Sequence, residues 1–390
     1  MEKGELTTQE IFNSSNEDKF VLRGMNEWDD NIRRDRYMVD STCEDMLTNE
    51  CKQKNLAYHR TFKGEPLMEE LNRLNLPFVG LCTFCKAPVH YQWEQIDADV
   101  AVLGAPFDMG TQYRSGARLG PRAIREASTL YALGPAGVYD HEDETIYLSN
   151  VRIVDAGDAD IIHTDSMQSL TNIQNAVETI LKSGALPVIL GGDHSITAPN
   201  VAAFARQDPL HVIQFDAHLD FVDERYGVRY GQGNPMRRCS EMRHVSGITQ
   251  LGIHGVGSSS ISDFADAHAA GSTILSVRQI RKLGINETLS KIPNSRRFYI
   301  TIDIDCFDPS IAPGTGTPSH GGFLYYEVAE LLRGITKKGN VVGMDLVEVA
   351  PIYDSSGITS MLAVRVILDL IGYIFEERRK NPKPPAGSYP

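Results

Sequence analysis

From residue 98 onward the chain alternates short apolar runs with helical stretches and Gly-rich turns. The runs are VAVLGAP (100–106), VRIVDAGD (151–158), LPVILGGD (186–193), HVIQFDAH (211–218), ITQLGIHGVG (248–257), STILSV (272–277), RFYITIDID (297–305) and NVVGMDLVEV (340–349). Their apolar residues are mostly continuous rather than alternating, the pattern of strands covered on both faces. Parallel neighbours can be joined only by crossovers. Stretches 166–183 and 323–337 have the length for crossover helices, and 357–377 reads as a closing amphipathic helix. The pattern predicts an α/β fold, with one mainly parallel sheet of eight strands and helices on both sides.

In such a sheet, ligands bind beyond the carboxyl ends of the strands. Those ends are acidic here: GGDHS (191–195), DAHLD (216–220), DID (303–305) and DLVE (345–348). In DAHLD, Asp216, His218 and Asp220 sit at i, i+2 and i+4, which in a strand puts all three on one face. A single strand-end Asp is most often a cap or turn residue. Together, His194, Asp216, His218, Asp220, Asp303 and Asp305 offer four carboxylates and two imidazoles at neighbouring strand ends. Ionised carboxylates packed so closely repel and raise one another's pKa. Two divalent ions bridged by carboxylates remove that conflict and acidify a shared water. Oxygen-rich donors with one imidazole per ion suit manganese, nickel or another borderline ion. Cys306 is expected on the opposite face of its strand, in the core.

Composition narrows the rest. With 390 residues, 42% of them hydrophobic, the chain can build a large core. It carries 51 acidic against 38 basic residues, a net charge of −13, and no basic stripe to follow a phosphate backbone, which argues against nucleic acid. No apolar run approaches the roughly 20 residues of a membrane span, and the start of the chain is acidic, so a cytoplasmic protein with no membrane partner is expected. The six cysteines are scattered, as suits a reducing compartment. Residues 1–95 read as a polar N-terminal extension, 96–380 as the catalytic domain and 381–390 as a loose tail. Within the extension, CTFC sets Cys82 and Cys85 at metal or redox spacing, with Cys43 and Cys51 upstream. No second CxxC pair follows, so the spacing is read as incidental.

GGDHSIT, DAHLDF, TIDIDCFDPSIAPGTGTPSHGG and MDLVEVAP, preceded by PFDMGTQYRSGARLGPRAIREAS (106–128), resemble the ureohydrolase family of arginases, agmatinases and guanidine hydrolases across about residues 98–378. The long polar start is similar to that of the nickel-dependent guanidine hydrolases. The resemblance implies a three-layer α/β/α sandwich around an eight-stranded sheet, two divalent ions per chain with nickel favoured over manganese, and a trimeric or hexameric homo-oligomer. It implies that His194, Asp216, Asp220 and Asp303 hold one ion, and Asp216, His218, Asp303 and Asp305 the other, with Asp216 and Asp303 bridging. Asp220 would also accept a hydrogen bond from the attacking hydroxide. Glu348 matches the carboxylate that binds the substrate guanidinium, a planar cation well suited to a bidentate carboxylate.

Two departures shape the expected substrate. The family's proton-relaying His, in the loop after DAHxD, is replaced by Gln232 within YGQGNPMRR (230–238), and an amide cannot act as acid or base near neutral pH. Proton relay would then fall to Asp220, water, His254 or His244. Agmatinases tend to carry an acidic residue after GTGTP, where this chain has Ser319 and His320. Asn234 and His320 complete the substrate-lining candidates. The expected activity is hydrolysis of a small guanidino compound, free guanidine ahead of agmatine or a guanidino acid. A catalytically silent partner subunit and a single-zinc deacetylase are the alternatives from other classes; the complete ligand set and Glu348 argue against the first, and the second would need fewer of these carboxylates, so metal stoichiometry separates it.

Overall fold

The structure, a computed structural model, describes residues 76–131 and 133–381. Its main sheet contains β1 (Val100–Ala105), β4 (Ile153–Asp158), β5 (Leu186–Gly191), β6 (Leu210–Phe215), β7 (Val245–Leu251), β8 (Thr273–Leu275), β9 (Arg297–Asp303) and β10 (Asn340–Val347). The eight strands lie in the order β4-β1-β5-β10-β9-β6-β7-β8, every neighbouring pair parallel. Each apolar run of the sequence supplies one of them. The short antiparallel hairpin of β2 (Val138–Asp140) and β3 (Thr145–Tyr147) was not anticipated, because runs of three residues carry too little periodicity to read.

Continuous burial comes from two cores, one on each face of the sheet. In β9, Phe298, Ile300 and Ile302 join one core, while Tyr299 enters the other. In β6, Ile213 and Phe215 point to the first core, and Leu210 and Val212 to the second. This is the two-residue side-chain period of a strand, with apolar residues in both phases. Helices cover both faces: α1 (Gly120–Ser128), α2 (Ser166–Ser183), α3 (Thr197–Ala202), α4 (Pro235–Ser240), α5 (Ile261–Ala269), α6 (Val277–Leu283), α7 (Ile285–Lys291), α8 (Tyr325–Lys338) and α9 (Ile358–Lys380). α2 starts where the Asp165 side chain accepts the Gln168 N–H, and ends where Gly184 turns left-handed at φ 85°.

The closing helix revises one expectation. By length and composition α9 could cross a bilayer, although Arg365 and Asp369 interrupt the run in the sequence; 67% of its most apolar window is buried within the protein. Ala363, Val364, Val366, Ile367, Leu370 and Ile371 form part of the first core.

Residues 84–89, grouped by sequence with the N-terminal extension, also pack into this body. The Phe84 N–H donates to Asp155 Oδ2 at 2.8 Å, the Cys85 N–H donates to Ser128 Oγ at 2.7 Å, and Val89 bridges to Asp155. Cys82 is exposed while Cys85 is buried in the core, so the CxxC spacing brings no pair of thiols to a common site. Cys43, Cys51 and the 381–390 tail beyond residue 381 lie outside the described residues.

Candidate metal centre

β5, β10, β9 and β6 are consecutive in the middle of the sheet, so their carboxyl ends meet at one place. The strands stop earlier than the sequence suggested. β6 ends at Phe215, and Asp216–Asp220 form a loop beyond it rather than a strand with one ligand face. The Asp216 carboxylate holds this turn by accepting the His218 N–H at 2.5 Å, and Asp220 reverses the chain at φ 53°. Asp303 is the last residue of β9, and its Oδ1 accepts the Asp305 N–H at 2.9 Å in the tight turn that follows. His194 opens a comparable turn after β5. Gly192 is required just before it: a β-carbon there would lie 1.8 Å from the Phe107 carbonyl oxygen.

All six predicted ligands converge. His194 Nδ1 lies 3.0 Å from Asp216 Oδ2, 2.9 Å from Asp220 Oδ2 and 3.3 Å from Asp303 Oδ2. His218 Nδ1 lies 3.0 Å from Asp305 Oδ2 and 3.6 Å from Asp216 Oδ1. Asp216 thus presents one oxygen to each imidazole, the arrangement of a bridging carboxylate. His194–Asp216–Asp303 and Asp216–His218–Asp305 form two overlapping groups, each with ligand atoms within 4.8 Å of one another.

The donor set fits a pair of cations. His194 Nδ1 is buried and has no hydrogen-bond partner, although three carboxylate oxygens surround it. A nitrogen so placed is suited to a shared cation. Left to themselves, the acids do not accommodate their own charge. Burial, reinforced by Asp216, pushes Asp220 up to about 6. Burial with Asp305 and Asp216 pushes Asp303 well above the carboxylate range. Burial opposes charge on His194, but its three carboxylate neighbours outweigh it and raise the imidazole. Asp216 goes the other way, because two imidazoles overcome its desolvation.

The remaining candidates divide. Glu348 follows β10 at φ 65° and is buried beside the centre, its Oε1 accepting the His194 N–H at 2.9 Å. Burial and the neighbouring Asp193 raise its pKa well above the usual range. Gln232 sits on the loop that pairs with Gly110 through its own N–H at 3.1 Å. Asn234 is engaged with backbone at both ends of its amide: its Oδ1 accepts the Gly231 N–H, and its Nδ2 donates to Val222 O. These two bonds clamp the loop. His254 lies between two carbonyl oxygens, with Nδ1 2.6 Å from Gly252 O and Nε2 3.1 Å from Ser319 O, so it braces two loops. His244 precedes β7 at the opposite end of the sheet, 2.9 Å from Val201 O. His320 is exposed near Asp308.

Sequence reasoning missed the groups that hold the ligands. Gln214 Nε2 donates to Asp216 Oδ2 at 2.5 Å, Thr317 Oγ1 donates to Asp305 Oδ2 at 3.1 Å, and Thr301 Oγ1 lies 3.0 Å from His194 Nε2. The available signal was a polar residue inside an otherwise apolar strand, as at Gln214 and Thr301.

Residues 98–372 match the arginase family. The chain belongs to that family. It is similar to proclavaminate amidinohydrolase of Streptomyces clavuligerus, 38% identical over 283 residues covering 70% of this chain and 87% of that protein. The solved structure of that enzyme superposes with a TM-score of 0.69 at 35% identity, covering 76% of this chain and 98% of the other. It is also similar to guanidinopropionase of Pseudomonas aeruginosa, 32% identical and covering 80% and 98%, and to agmatinase of Neisseria meningitidis, 35% identical and covering 74% and 91%. Formiminoglutamase of Trypanosoma cruzi, solved with manganese, has a TM-score of 0.63 at 25% identity, covering 71% and 93%. The chain is accordingly a hydrolase of the arginase family acting on guanidino compounds, a family that uses a binuclear metal centre.

Proposed function

We propose that this enzyme hydrolyses free guanidine to urea and ammonia, working as a homo-oligomer with two divalent ions per chain. His194, Asp216, Asp220 and Asp303 would hold one ion, and Asp216, His218, Asp303 and Asp305 the other. Nickel and manganese both suit these donors, and the likeness to guanidine hydrolases favours nickel. When bound, such a pair acidifies water and stabilises negative charge developing during attack.

The protein's own groups do the rest. Glu348 receives the guanidinium through its carboxylate and orients the central carbon toward the ligand cluster. Water adds to that carbon, one C–N bond breaks, and the departing nitrogen leaves as ammonia after taking a proton. Asp220, pointing into the cluster, is placed to hold that proton, whereas the Gln232 amide cannot and His254 is committed to two carbonyls.

The observation that carries the choice of substrate is the rim beside Glu348. A β-carbon on Gly316 would lie 4.0 Å from Glu348 Oε2, and Arg114 covers this glycine by donating from Nε to Gly316 O at 2.9 Å and from Nη2 to Thr315 O at 2.8 Å. The Arg114 guanidinium at this rim, with Gln and Ser at positions 232 and 319, opposes the ammonium of agmatine. It already donates to two backbone oxygens, so it is poorly placed to grip a tail carboxylate as well. Guanidine has no tail to place.

A short guanidino acid is the second reading, supported by the similarity to guanidinopropionase of Pseudomonas aeruginosa. The deciding experiment measures kcat/KM for guanidine, agmatine and 3-guanidinopropionate on enzyme loaded separately with nickel and manganese. Guanidine should exceed agmatine by at least about tenfold, the penalty of an unpaired ammonium. Agmatine used equally well would overturn the proposal, and a preference for the acid would establish the second reading.

A further inference from the structure

Behind His194, on the side away from the ligand cluster, a chain of buried polar groups runs through the centre of the sheet. His194 Nε2 lies 3.0 Å from Thr301 Oγ1, Thr301 Oγ1 lies 3.2 Å from Thr197 Oγ1, and Thr197 Oγ1 lies 3.0 Å from Asp345 Oδ2. Asp345 Oδ2 also accepts the Tyr299 hydroxyl at 2.8 Å and the Asn200 amide at 3.0 Å. Thr197, Asn200, Tyr299, Thr301 and Asp345 are all fully buried. A polar assembly in that setting must have a consistent direction of donation, because each unsatisfied member is expensive.

Only one direction is available. Asp345 Oδ2 is an acceptor, so the single Thr197 proton goes to it. Thr197 can then only accept from Thr301, which uses the Thr301 proton. Thr301 can then only accept from His194, so the ring proton sits on Nε2 and the lone pair on Nδ1. Nδ1 is the atom that faces Asp216, Asp220 and Asp303 without a hydrogen-bond partner. We infer that Asp345 is a positioning residue that fixes the metal-binding tautomer of His194 through Thr197 and Thr301. This rests on reading His194 as a ligand through Nδ1. It explains why an acid occupies the middle of β10, among residues otherwise buried and apolar.

The test uses the full chain and manganese(II) alone, with affinities from competition against a chromophoric chelator and melting temperatures of the metal-free proteins. Thr197→Val keeps the side-chain shape and removes the hydroxyl, while Thr197→Ser keeps the hydroxyl. In Thr197→Val, one of the two binding steps should weaken about ten- to a hundredfold, the usual effect of losing a group that orients a ligand. Thr197→Ser should stay within about threefold of wild type, since the relay survives. The metal-free melting temperature does not follow this order if the role is positioning. Thr301→Val breaks the relay at its next link, removing the hydroxyl that His194 Nε2 and Thr197 share, and should show the same one-step loss, which keeps the test decisive if the first valine variant does not fold. Wild-type affinity in Thr197→Val, or equal losses in the valine and serine variants, overturns the relay while leaving the metal centre intact. Wild-type protein that takes up no manganese overturns both.

Discussion

Glu348 Oε1 accepts the backbone N–H of His194 at 2.9 Å, and the Glu348 N–H in turn donates to Gly192 O at 2.8 Å. The residue proposed to hold the substrate is thereby tied at two points to the turn that carries a proposed ligand. The tie requires Glu348 to adopt φ 65°, a left-handed conformation that costs a non-glycine residue about 1–3 kcal/mol. Asp220 adopts a similar one, at φ 53°. Both are residues that carry chemistry in the proposed reaction, and the surrounding hydrogen bonds hold them in place.

Glu348→Gln separates these two duties. Glutamine retains a carbonyl oxygen for the His194 N–H but has no charge for the guanidinium. Metal content and melting temperature should match wild type, while kcat/KM falls by about a hundredfold or more, the scale of losing one side of a buried charge pair. Activity within tenfold of wild type would remove Glu348 from substrate binding.

Asp303 touches both halves of the centre: its Oδ2 faces His194 Nδ1 at 3.3 Å, and its Oδ1 accepts the N–H of Asp305. Asp303→Ala should therefore reduce metal content from two ions per chain to one or none, and lower turnover by at least about a hundredfold. Elemental analysis beside turnover decides it. Exhaustive chelation of the wild type should abolish activity, and added nickel or manganese should restore it. Two tightly held ions and full turnover in the variant would show that Asp303 is not a bridge.

The sheet was legible because its strands are apolar in both phases, and eight such runs leave few ways to fold. The acidic cluster was legible because acids at neighbouring strand ends have no apolar explanation. What could not be read was the path of the chain after each strand. Asp216, His218 and Asp220 converge through a turn, with Asp220 at positive φ, and no two-residue periodicity describes that. The partners of His254 and Asn234 were hidden for a related reason. A polar side chain in a loop has nearby backbone groups as competing partners, and here those carbonyls and amides engage it. Thr197, Thr301 and Asp345 are far apart in sequence, and only the parallel pairing of β9 with β10 and the packing of α3 bring them together.

Cys82 and Cys85 should behave differently from each other. Cys82 is exposed, so Cys82→Ser should shift stability by less than about 0.5 kcal/mol. Cys85 is buried in the core, where burial pushes its thiol pKa far up. Cys85→Ser puts a hydroxyl into apolar surroundings and should lower stability by about 1–2 kcal/mol, a few degrees in melting temperature. Turnover per folded enzyme should stay within threefold for both. A large loss of turnover with normal folding in either variant would reveal a role in the chemistry.

His211 should contribute a distinct acid limb to stability. It opens the buried course of β6, 5% exposed, with Nε2 2.8 Å from Thr249 Oγ1 and its ring edge-on to Phe298 at 6.0 Å. Burial depresses its pKa to about 4, from an ordinary value of 6.5. The folded protein therefore binds this proton less readily than the unfolded chain. Stability is unaffected by His211 above pH 6.5 and declines as pH falls from 6.5 toward 4, because the unfolded state takes up the proton first. Each pH unit across that window is worth about 1.4 kcal/mol, so between pH 7.5 and pH 5 the loss should approach about 2 kcal/mol. His211→Gln leaves a polar group near Thr249 without this titration. It should be the less stable protein at pH 7.5, and the gap to wild type should narrow by about 2 kcal/mol at pH 5. Denaturant unfolding of chelator-treated wild type and variant at both pH values isolates the effect, since the acids of the metal centre are common to the two proteins. A gap that stays constant or widens toward pH 5 would mean that His211 is protonated inside the folded enzyme.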